Sequence, residues 1–248
     1  MPRARADPPR ARDSLTEIEA LLLDVEGTTT PIDFVTRTLF PFARRHVAAF
    51  LAAHLGDEAV AGDLARLRTE NAVDVARDGA PFCSGATGEA VRYVFWLMDQ
   101  DRKSTALKAL QGRIWEEGYL RGELRGEVYD DVPPAFRRWK RDGRRIAIFS
   151  SGSVLAQQLL FRHSTAGDLA PFLSAHFDTT TGAKREPGSY ALIADRLGAP
   201  SSAVFFVSDV AEEVDAARTA GMETALCVRD NAFPEATHRV IRSFDALP

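Results

Sequence analysis

The sequence predicts an α/β fold: a Rossmann-like parallel sheet core with helices on both faces and an inserted all-helical cap domain. Two observations predict it. Short apolar strand patterns alternate with helix patterns in the second half of the chain, which is typical of a parallel sheet covered on both faces. Between the first strand pattern and the others lies a long stretch that contains helix patterns alone. The 248 residues are enough for one large domain, or for a core with a smaller second domain.

The first element is a strand predicted over Ile18–Asp24, IEALLLD, whose apolar residues suit burial on both faces. Apolar residues then recur at helical spacing from Val35, with Pro41 placed where it bends or restarts the helix. The later helix patterns of this block are EAVAGDLARLRTE, EAVRYVFWLMDQD and TALKALQGRIWEEGYL. Residues 35–129 are therefore the predicted helical cap.

The alternating part of the chain follows this block. In chain order the predictions are a helix around Ala135–Arg141, strand Arg144–Ser150, a helix from Ser153, strand AHFD, helix SYALIADRLG, strand Ala203–Asp209, helix AEEVDAARTAG ending at Gly221, and a last strand ETALCV. Residues 17–34 and 130–248 thus form the predicted core. Residues 1–16, rich in Arg, Ala and Pro, are a predicted mobile N-terminal tail.

Composition and charge argue against several classes of function. The formal net charge is -4 and the pI is about 5.8, whereas a nucleic-acid binder normally carries a clustered basic excess, so no nucleic-acid partner is expected. No apolar run approaches the length of a membrane span, and the N-terminus lacks the apolar core of a secretory signal. The two cysteines show neither metal-ligand spacing nor a disulfide framework, which favours the cytoplasm.

Four polar clusters follow predicted strands, where open parallel sheets bind their ligands. They are Asp24-Val-Glu26, Ser150-Ser151-Gly152, Lys184, and Ser208-Asp209 with Glu213. One such cluster would more often be a turn or a helix cap, but their joint occurrence in this order predicts a catalytic site. The histidines share no ligand spacing, so packing or surface roles are expected for them.

Each cluster contains residues suited to phosphate chemistry. A carboxylate such as Asp24 can attack phosphorus, while a second one such as Glu26, on the same side of an extended chain, can move protons to and from oxygen. Asp24 and Asp209 can jointly hold Mg²⁺, a cation that prefers oxygen ligands. Ser150 and the amides that follow it, at a helix start, suit phosphate oxygens, and Lys184 supplies positive charge.

Some roles remain open on the residues alone. Asp209 also fits the N-cap of the following helix, and Glu212 competes with Glu213, although Glu213 lies one helical turn inward from Asp209. Ser151 is a weaker candidate than Ser150, because a backbone amide needs no particular side chain. Gly27 and the threonines after it allow a sharp turn without filling the site.

The four clusters resemble the four motifs of the haloacid dehalogenase-like superfamily of phosphohydrolases. The segments LLLDVEGTTTPIDFV, IWEEGYLRGELRGEVYDDVPPAFRRW, FSSGS, QLLFRHSTAGDL and HFDTTTGAK more closely resemble the enolase-phosphatase family of methionine salvage. The resemblance runs from about Ile18 to the C-terminus. The chain departs from the family pattern in two places, which are the REPGSY segment after Lys184, with Arg185 and Pro187, and the N-terminal tail.

The resemblance implies a role for each residue. Asp24 is the nucleophile and a metal ligand, Glu26 is the acid/base and a ligand through its carbonyl, and Asp209 is the remaining metal carboxylate. Ser150, Ser151 and Lys184 bind the substrate phosphate, and Glu213 is a supporting acid for the lysine or for the water around the metal. One Mg²⁺ per subunit, a monomer and a cap that closes over the substrate are also implied.

The implied reaction has two steps on a small phosphorylated diketone. The compound 2,3-diketo-5-methylthiopentyl-1-phosphate is first enolised, with Mg²⁺ or Lys184 stabilising the enolate and Glu26 as the candidate base. Hydrolysis through an aspartyl-phosphate then gives phosphate and the acireductone 1,2-dihydroxy-3-keto-5-methylthiopentene, in L-methionine salvage from methylthioadenosine. The alternatives are a phosphatase for another small metabolite, a dehalogenase, and a phospho-receiver or metabolite-binding module.

Overall fold

The computed structural model describes residues 18–230 and 237–247. Six parallel strands form one sheet in the order β3-β2-β1-β4-β5-β6. The strands are β1 (Ala20–Leu23), β2 (Arg145–Phe149), β3 (Ala175–Phe177), β4 (Val204–Ser208), β5 (Glu223–Cys227) and β6 (Val240–Ile241). The order reverses at β1, which lies between β2 and β4, and ligands of such sheets bind beyond the carboxyl ends of the strands at this switch point.

Eight α-helices accompany the sheet in the part of the chain that the structure describes. They are α1 (Phe40–Ala53), α2 (Glu58–Asp78), α3 (Thr87–Asp99), α4 (Thr105–Leu120), α5 (Val132–Arg141), α6 (Val154–Arg162), α7 (Pro187–Leu197) and α8 (Ala211–Thr219). The predicted parallel α/β fold is confirmed. The predicted tail, residues 1–16, lies outside the described residues.

The two faces of the sheet explain why β1 is apolar at every position. Leu21 and Leu23 belong to a core that also contains Phe136 of α5 and Phe161 of α6. Ala20 and Leu22 belong to a second core, on the side of α7 and α8. Successive side chains of a strand point to opposite faces, so a strand covered by helices on both sides needs no polar position.

Helices α1 to α4 follow one another between β1 and α5, as the uninterrupted helix patterns predict. A π-helical segment, Phe34–Leu39, leads into α1, and Pro41 falls in the first turn of that helix. A proline is tolerated there because the first amides of a helix have no partner within it. The predicted restart of the helix at Pro41 therefore matches the structure.

The start of α4 is fixed by side chains of α2. Ser104 caps α4 by accepting a hydrogen bond from the Leu107 amide at 2.9 Å, and its hydroxyl donates to Glu70. Glu70 also accepts a hydrogen bond from the Ala106 amide at 3.2 Å. Just before this cap, Arg102 is paired with both Asp74 and Asp78 of α2. These contacts hold α4 at a defined position and rotation, which matters for the cavity described below.

Strand β6 differs from the sequence prediction, in which ETALCV is the last strand of the series. Its two residues pair in parallel with the end of β5, at Leu226 and Cys227. Two residues are too few to give a recognisable strand pattern. Within the described ranges, no helix has the length and apolar character needed to cross a membrane.

Candidate active site

Asp24 and Lys184 form the centre of the site. Asp24 follows β1 and is 2% exposed, and its Oδ1 lies 2.6 Å from Lys184 Nζ. The same ammonium lies 2.6 Å from Oε2 of Glu213, so one cation joins two carboxylates. Burial alone would lower the pKa of Lys184, but the charges of Asp24 and Glu213 outweigh it and hold this pKa above its usual value. Lys184 therefore remains a cation at neutral pH.

The choice between the two glutamates of α8 follows from this geometry. Glu213 is buried and faces Lys184, whereas Glu212 is exposed and lies 4.0 Å from Arg185. Ser208, at the end of β4, lies between the carboxylates, with its Oγ 3.0 Å from Asp24 Oδ2 and 2.9 Å from Glu213 Oε2. A hydroxyl has one proton to donate, so it serves one carboxylate at a time. Glu213 is thus the glutamate that the fold brings to the site.

Glu26 and Ser150 meet across two neighbouring strands. The Ser150 hydroxyl donates to Oε2 of Glu26 at 3.1 Å, and its oxygen accepts a hydrogen bond from the Gly152 amide at 2.9 Å. Burial raises the pKa of Glu26, and the neighbouring charge of Asp24 raises it further. A carboxyl group whose pKa is raised in this way is suited to giving and taking protons near neutral pH.

Asp209 lies against the turn that follows β1. Gly27 has a φ of +71°, and a Cβ added to it would lie 2.1 Å from Oδ2 of Asp209. The Asp209 carboxylate is therefore beside the peptide that joins Glu26 to Gly27. Burial raises the pKa of Asp209 to about 7, with the charge of Asp24 as the next cause. Asp24 and Asp209, which directly follow different strands, are thus close enough for their charges to interact.

These oxygens fit the predicted Mg²⁺ ligands. The set consists of the carboxylates of Asp24 and Asp209 and the backbone carbonyl of Glu26, all hard oxygen donors. The described residues contain no group of three or more His, Cys, Asp or Glu side chains that could hold a metal ion. The proposed ligand set therefore needs the backbone carbonyl of Glu26 in addition to the two aspartates. The carboxylates of Asp24 and Glu213 share the ammonium of Lys184, and Glu26 and Asp209 add two more acidic groups beside Asp24. This excess of carboxylates over cations favours a divalent cation.

A cavity of about 450 Å³ separates this end of the sheet from the helical block. Glu26 and Ser150 to Gly152 line one side of it. The facing residues of the helical block include Val35, Leu39, Phe40, Leu97, Met98, Leu107, Lys108, Gln111 and Trp115. Asp24, Lys184 and Asp209 are not among the lining residues, so the cavity meets the acidic cluster at Glu26 and Ser150. Sequence reasoning assigned no residue of the helical block to the site.

Two further residues hold the loops of the site and were also missed. Arg229 donates to the carbonyl oxygen of Thr28, pairs with Asp131 at 2.7 Å and lies over the ring of Tyr129. It thereby anchors the turn after β1 from the end of β5. Tyr190 of α7 donates its hydroxyl to the carbonyl of Lys184 at 2.6 Å, which fixes the loop that carries the lysine.

The unfamiliar residues after Lys184 leave this geometry intact. Pro187 is the first residue of α7, a position where its missing amide hydrogen costs no hydrogen bond. Arg185 is exposed and turned toward Glu212 rather than toward Asp24. The departure from the family pattern is therefore accommodated at a helix start, and Lys184 keeps its two carboxylate partners.

The contact between Gly27 and Asp209 gives a testable expectation. We expect Gly27→Ala to lower the catalytic activity of the site strongly, because the new methyl group has to displace the Asp209 carboxylate. Gly79→Ala is a matched control, since Gly79 has a φ of +67° and open space around it. Both variants are expected to lose about 1 kcal/mol of stability from the strained backbone, measured by urea unfolding. Equal activity of the two variants would contradict the placement of Asp209.

Comparisons with known proteins identify the family to which the chain belongs. A family model described as haloacid dehalogenase-like hydrolase matches residues 18–221. The chain is 53% identical to Enolase-phosphatase E1 of Synechococcus elongatus over 93% of this chain and 98% of that protein. It is 48% identical to Enolase-phosphatase E1 of Sorangium cellulosum over 92% of this chain and 96% of the relative. The UTR4 protein of Saccharomyces cerevisiae has a similar structure, with a TM-score of 0.75 and 32% identity over 93% of this chain and 100% of that chain.

Proposed function

Because the chain belongs to the haloacid dehalogenase-like hydrolases and, among them, to the enolase-phosphatase E1 family, we propose that it is a bifunctional enolase-phosphatase. Its substrate is 2,3-diketo-5-methylthiopentyl-1-phosphate, and its products are phosphate and the acireductone of methionine salvage. The observation that supports this proposal best is the convergence of the sequence motifs at one end of the sheet, where Lys184 joins Asp24 to Glu213 and Ser150 contacts Glu26.

In the hydrolytic step, Asp24 is the nucleophile that attacks phosphorus and forms an aspartyl-phosphate. Glu26 protonates the departing oxygen and then takes a proton from the water that cleaves the acyl phosphate. The hydroxyl of Ser150 and the amide of Ser151, in the loop before α6, hold the phosphate oxygens, while the Gly152 amide supports the Ser150 oxygen. Lys184 keeps the nucleophile oriented and adds positive charge beside it.

A bound Mg²⁺, held by the carboxylates of Asp24 and Asp209 and the carbonyl of Glu26, would offset the repulsion between the nucleophile and the phosphate. Residues 35–129 act as a cap in this proposal, since their helices form the far wall of the cavity. Asp24 is 2% exposed, so side chains at the closed end of the cavity have to move before it meets a phosphoryl group. The single chain is the proposed active unit, as the resemblance to the enolase-phosphatase family implies.

The role of Glu26 gives a second expectation. We expect Glu26→Gln to lower the rate of phosphate release by about 10²- to 10⁴-fold, because an amide cannot carry the proton to the leaving oxygen. The loss is expected in single-turnover phosphate release at saturating diketone phosphate and Mg²⁺. Glu19→Gln is the control, since Glu19 is an exposed glutamate that pairs with Arg145. Phosphate release by Glu26→Gln at the wild-type rate would show that Glu26 is not the proton shuttle.

The experiment that tests the function as a whole follows both products. The purified protein is given the diketone phosphate with Mg²⁺ or with EDTA, and phosphate and the absorbance of the acireductone are recorded. We expect both products to form with Mg²⁺ and neither with EDTA. Hydrolysis of simple phosphate esters without turnover of the diketone would instead support a phosphatase for another metabolite. Activity on a haloacid in EDTA would support a dehalogenase, and a long-lived acyl phosphate without turnover would support a receiver.

A further inference from the structure

One face of α4 lines the cavity, and its polar side chains have no role in the hydrolytic step described above. Lys108, Gln111 and Trp115 all line the cavity and recur at intervals of three and four residues, so they share one face of the helix. Trp115 is fixed by the hydrogen bond that its indole donates to the carbonyl of Leu39 at 2.8 Å. The start of the helix is fixed by Ser104 and Glu70. This face is therefore held in place before a ligand arrives.

Lys108 differs from the arginines that line the same cavity. Arg44 is paired with Asp99, and Arg102 is paired with Asp74 and Asp78. In residues 18–230 and 237–247, Lys108 is paired with no carboxylate, and its ammonium donates to the carbonyl oxygen of Ser151 at 3.1 Å. That oxygen belongs to the loop proposed to hold the phosphate. The helices of residues 35–129 thus place a cation with unused hydrogen-bond donors next to this loop.

Gln111 supplies a second, independent observation. Its side chain is 7% exposed and lines the cavity, yet its amide has no hydrogen-bond partner within the described part of the chain. Among the described residues, the fully enclosed side-chain polar atoms that lack a hydrogen-bond partner belong to Thr28, Thr30, Tyr119 and His238. The Gln111 amide is not one of these enclosed atoms. It therefore retains contact with the cavity. A ligand oxygen in the cavity would give this amide the hydrogen bond that the described part of the chain does not supply.

Lys184 is poorly placed to bind the carbonyl groups of a substrate. Its ammonium is occupied by Asp24 and Glu213, each at 2.6 Å, and it does not line the cavity. Glu26, the candidate base, does line the cavity. Among the described residues, Lys103 and Lys108 are the lysines that line the cavity, and Lys108, on α4, is the one that reaches the Ser151 loop, so it is the cation best placed to face an enolate opposite Glu26.

We propose that Lys108 and Gln111 bind the two carbonyl oxygens of the diketone and that Lys108 stabilises the enolate, an inference that rests on the proposed function. In the first step the C–H bond at C1 breaks, and its proton goes to the base. The electron pair forms the C1–C2 double bond, while the carbonyl π pair moves onto the oxygen of C2. The Lys108 ammonium donates a hydrogen bond to this oxygen, and the proton taken from C1 then passes from the base to the oxygen, which gives the enol and regenerates the base. The Gln111 amide donates to the oxygen of C3. Lys108 is thus a catalytic residue, and Gln111 determines specificity for a second carbonyl group.

The test compares Lys108→Met and Gln111→Leu with wild type on the diketone phosphate, with Mg²⁺. Enol formation is measured by absorbance in single turnovers, and inorganic phosphate is measured as a competitive inhibitor. We expect Lys108→Met to slow enol formation by about 10²- to 10³-fold. For Gln111→Leu we expect kcat/KM to fall by about tenfold. The inhibition constant of phosphate is expected to change less than about threefold in both, because the phosphate loop is retained. Lys140→Met, at an exposed lysine of α5, is the control.

The outcomes separate this inference from the proposed function. If wild type does not turn over the diketone phosphate, the proposed function itself fails. If wild type does so and Lys108→Met forms the enol at a similar rate, the role of Lys108 is wrong. If phosphate inhibition weakens as much as enol formation slows, Lys108 only supports the Ser151 loop, and the inference is wrong for that reason.

Discussion

Asp24→Asn is expected to lower phosphate release from the diketone phosphate by at least about 10³-fold, because an amide cannot attack phosphorus to form the acyl phosphate. Asparagine has nearly the same shape as aspartate, so its oxygen can keep the hydrogen bond from the Val25 amide, while its NH2 group can donate to the Ser208 oxygen and the Ser208 hydroxyl donates to Glu213. Lys184 keeps Glu213 as its partner. The expected variant is therefore folded and inactive, and the activity is measured as phosphate formed per enzyme over many turnovers.

The matched control for this prediction is Asp195→Asn, at an exposed aspartate of α7. It makes the same chemical change far from the acidic cluster and is expected to keep wild-type activity. Phosphate release by Asp24→Asn within about tenfold of wild type would contradict a nucleophilic role, since loss of an attacking group costs far more than that. Removal of the Asp24 charge should also lower the pKa values of Glu26 and Asp209, because that charge contributes to raising both.

Several of the site residues could be predicted from sequence because they directly follow predicted strands. Once the strands are recognised as parallel, Asp24, Ser150 and Asp209 must meet at one edge of the sheet, whatever the chain does between them. The structure places them there, next to Lys184. The choice of Glu213 over Glu212 rested on one helical turn of spacing, and the packing of α8 agrees with that choice.

The cavity could not be predicted from sequence in the same way. The sequence pattern predicts that α4 is a helix, but it does not show which residues of this helix face the carboxyl ends of the strands. That depends on contacts between distant residues, such as the bonds of Glu70 and Arg102 that set the position of α4. Arg229 was missed for a related reason, because it lies about 200 residues beyond the turn that it supports, at Thr28. A lone lysine or arginine in a sequence is most often an exposed surface residue.

Lys184→Met is expected to lower the free energy of unfolding by about 3 to 5 kcal/mol, the usual cost of leaving buried carboxylates without their cation. Lys184 is 8% exposed, and both of its ion pairs, with Asp24 and Glu213, measure 2.6 Å. Methionine fills a similar volume without charge, so the loss reports electrostatics more than packing. The measurement is urea unfolding in EDTA, which prevents a bound cation from adding stability.

A second substitution separates this explanation from simple loss of packing. Adding Glu213→Gln to Lys184→Met removes one of the two unpaired carboxylates and is expected to restore at least about 1 kcal/mol. Adding Glu212→Gln instead is the matched control, because Glu212 lies next to Glu213 in sequence but is exposed and turned away from Lys184. Adding Glu212→Gln is expected to leave the free energy of unfolding of Lys184→Met unchanged. If both additions restored stability equally, or if Lys184→Met cost less than about 1 kcal/mol, the cluster would not depend on its buried cation. Because the same ammonium orients Asp24, the doubly substituted protein should regain stability while its phosphatase activity stays low.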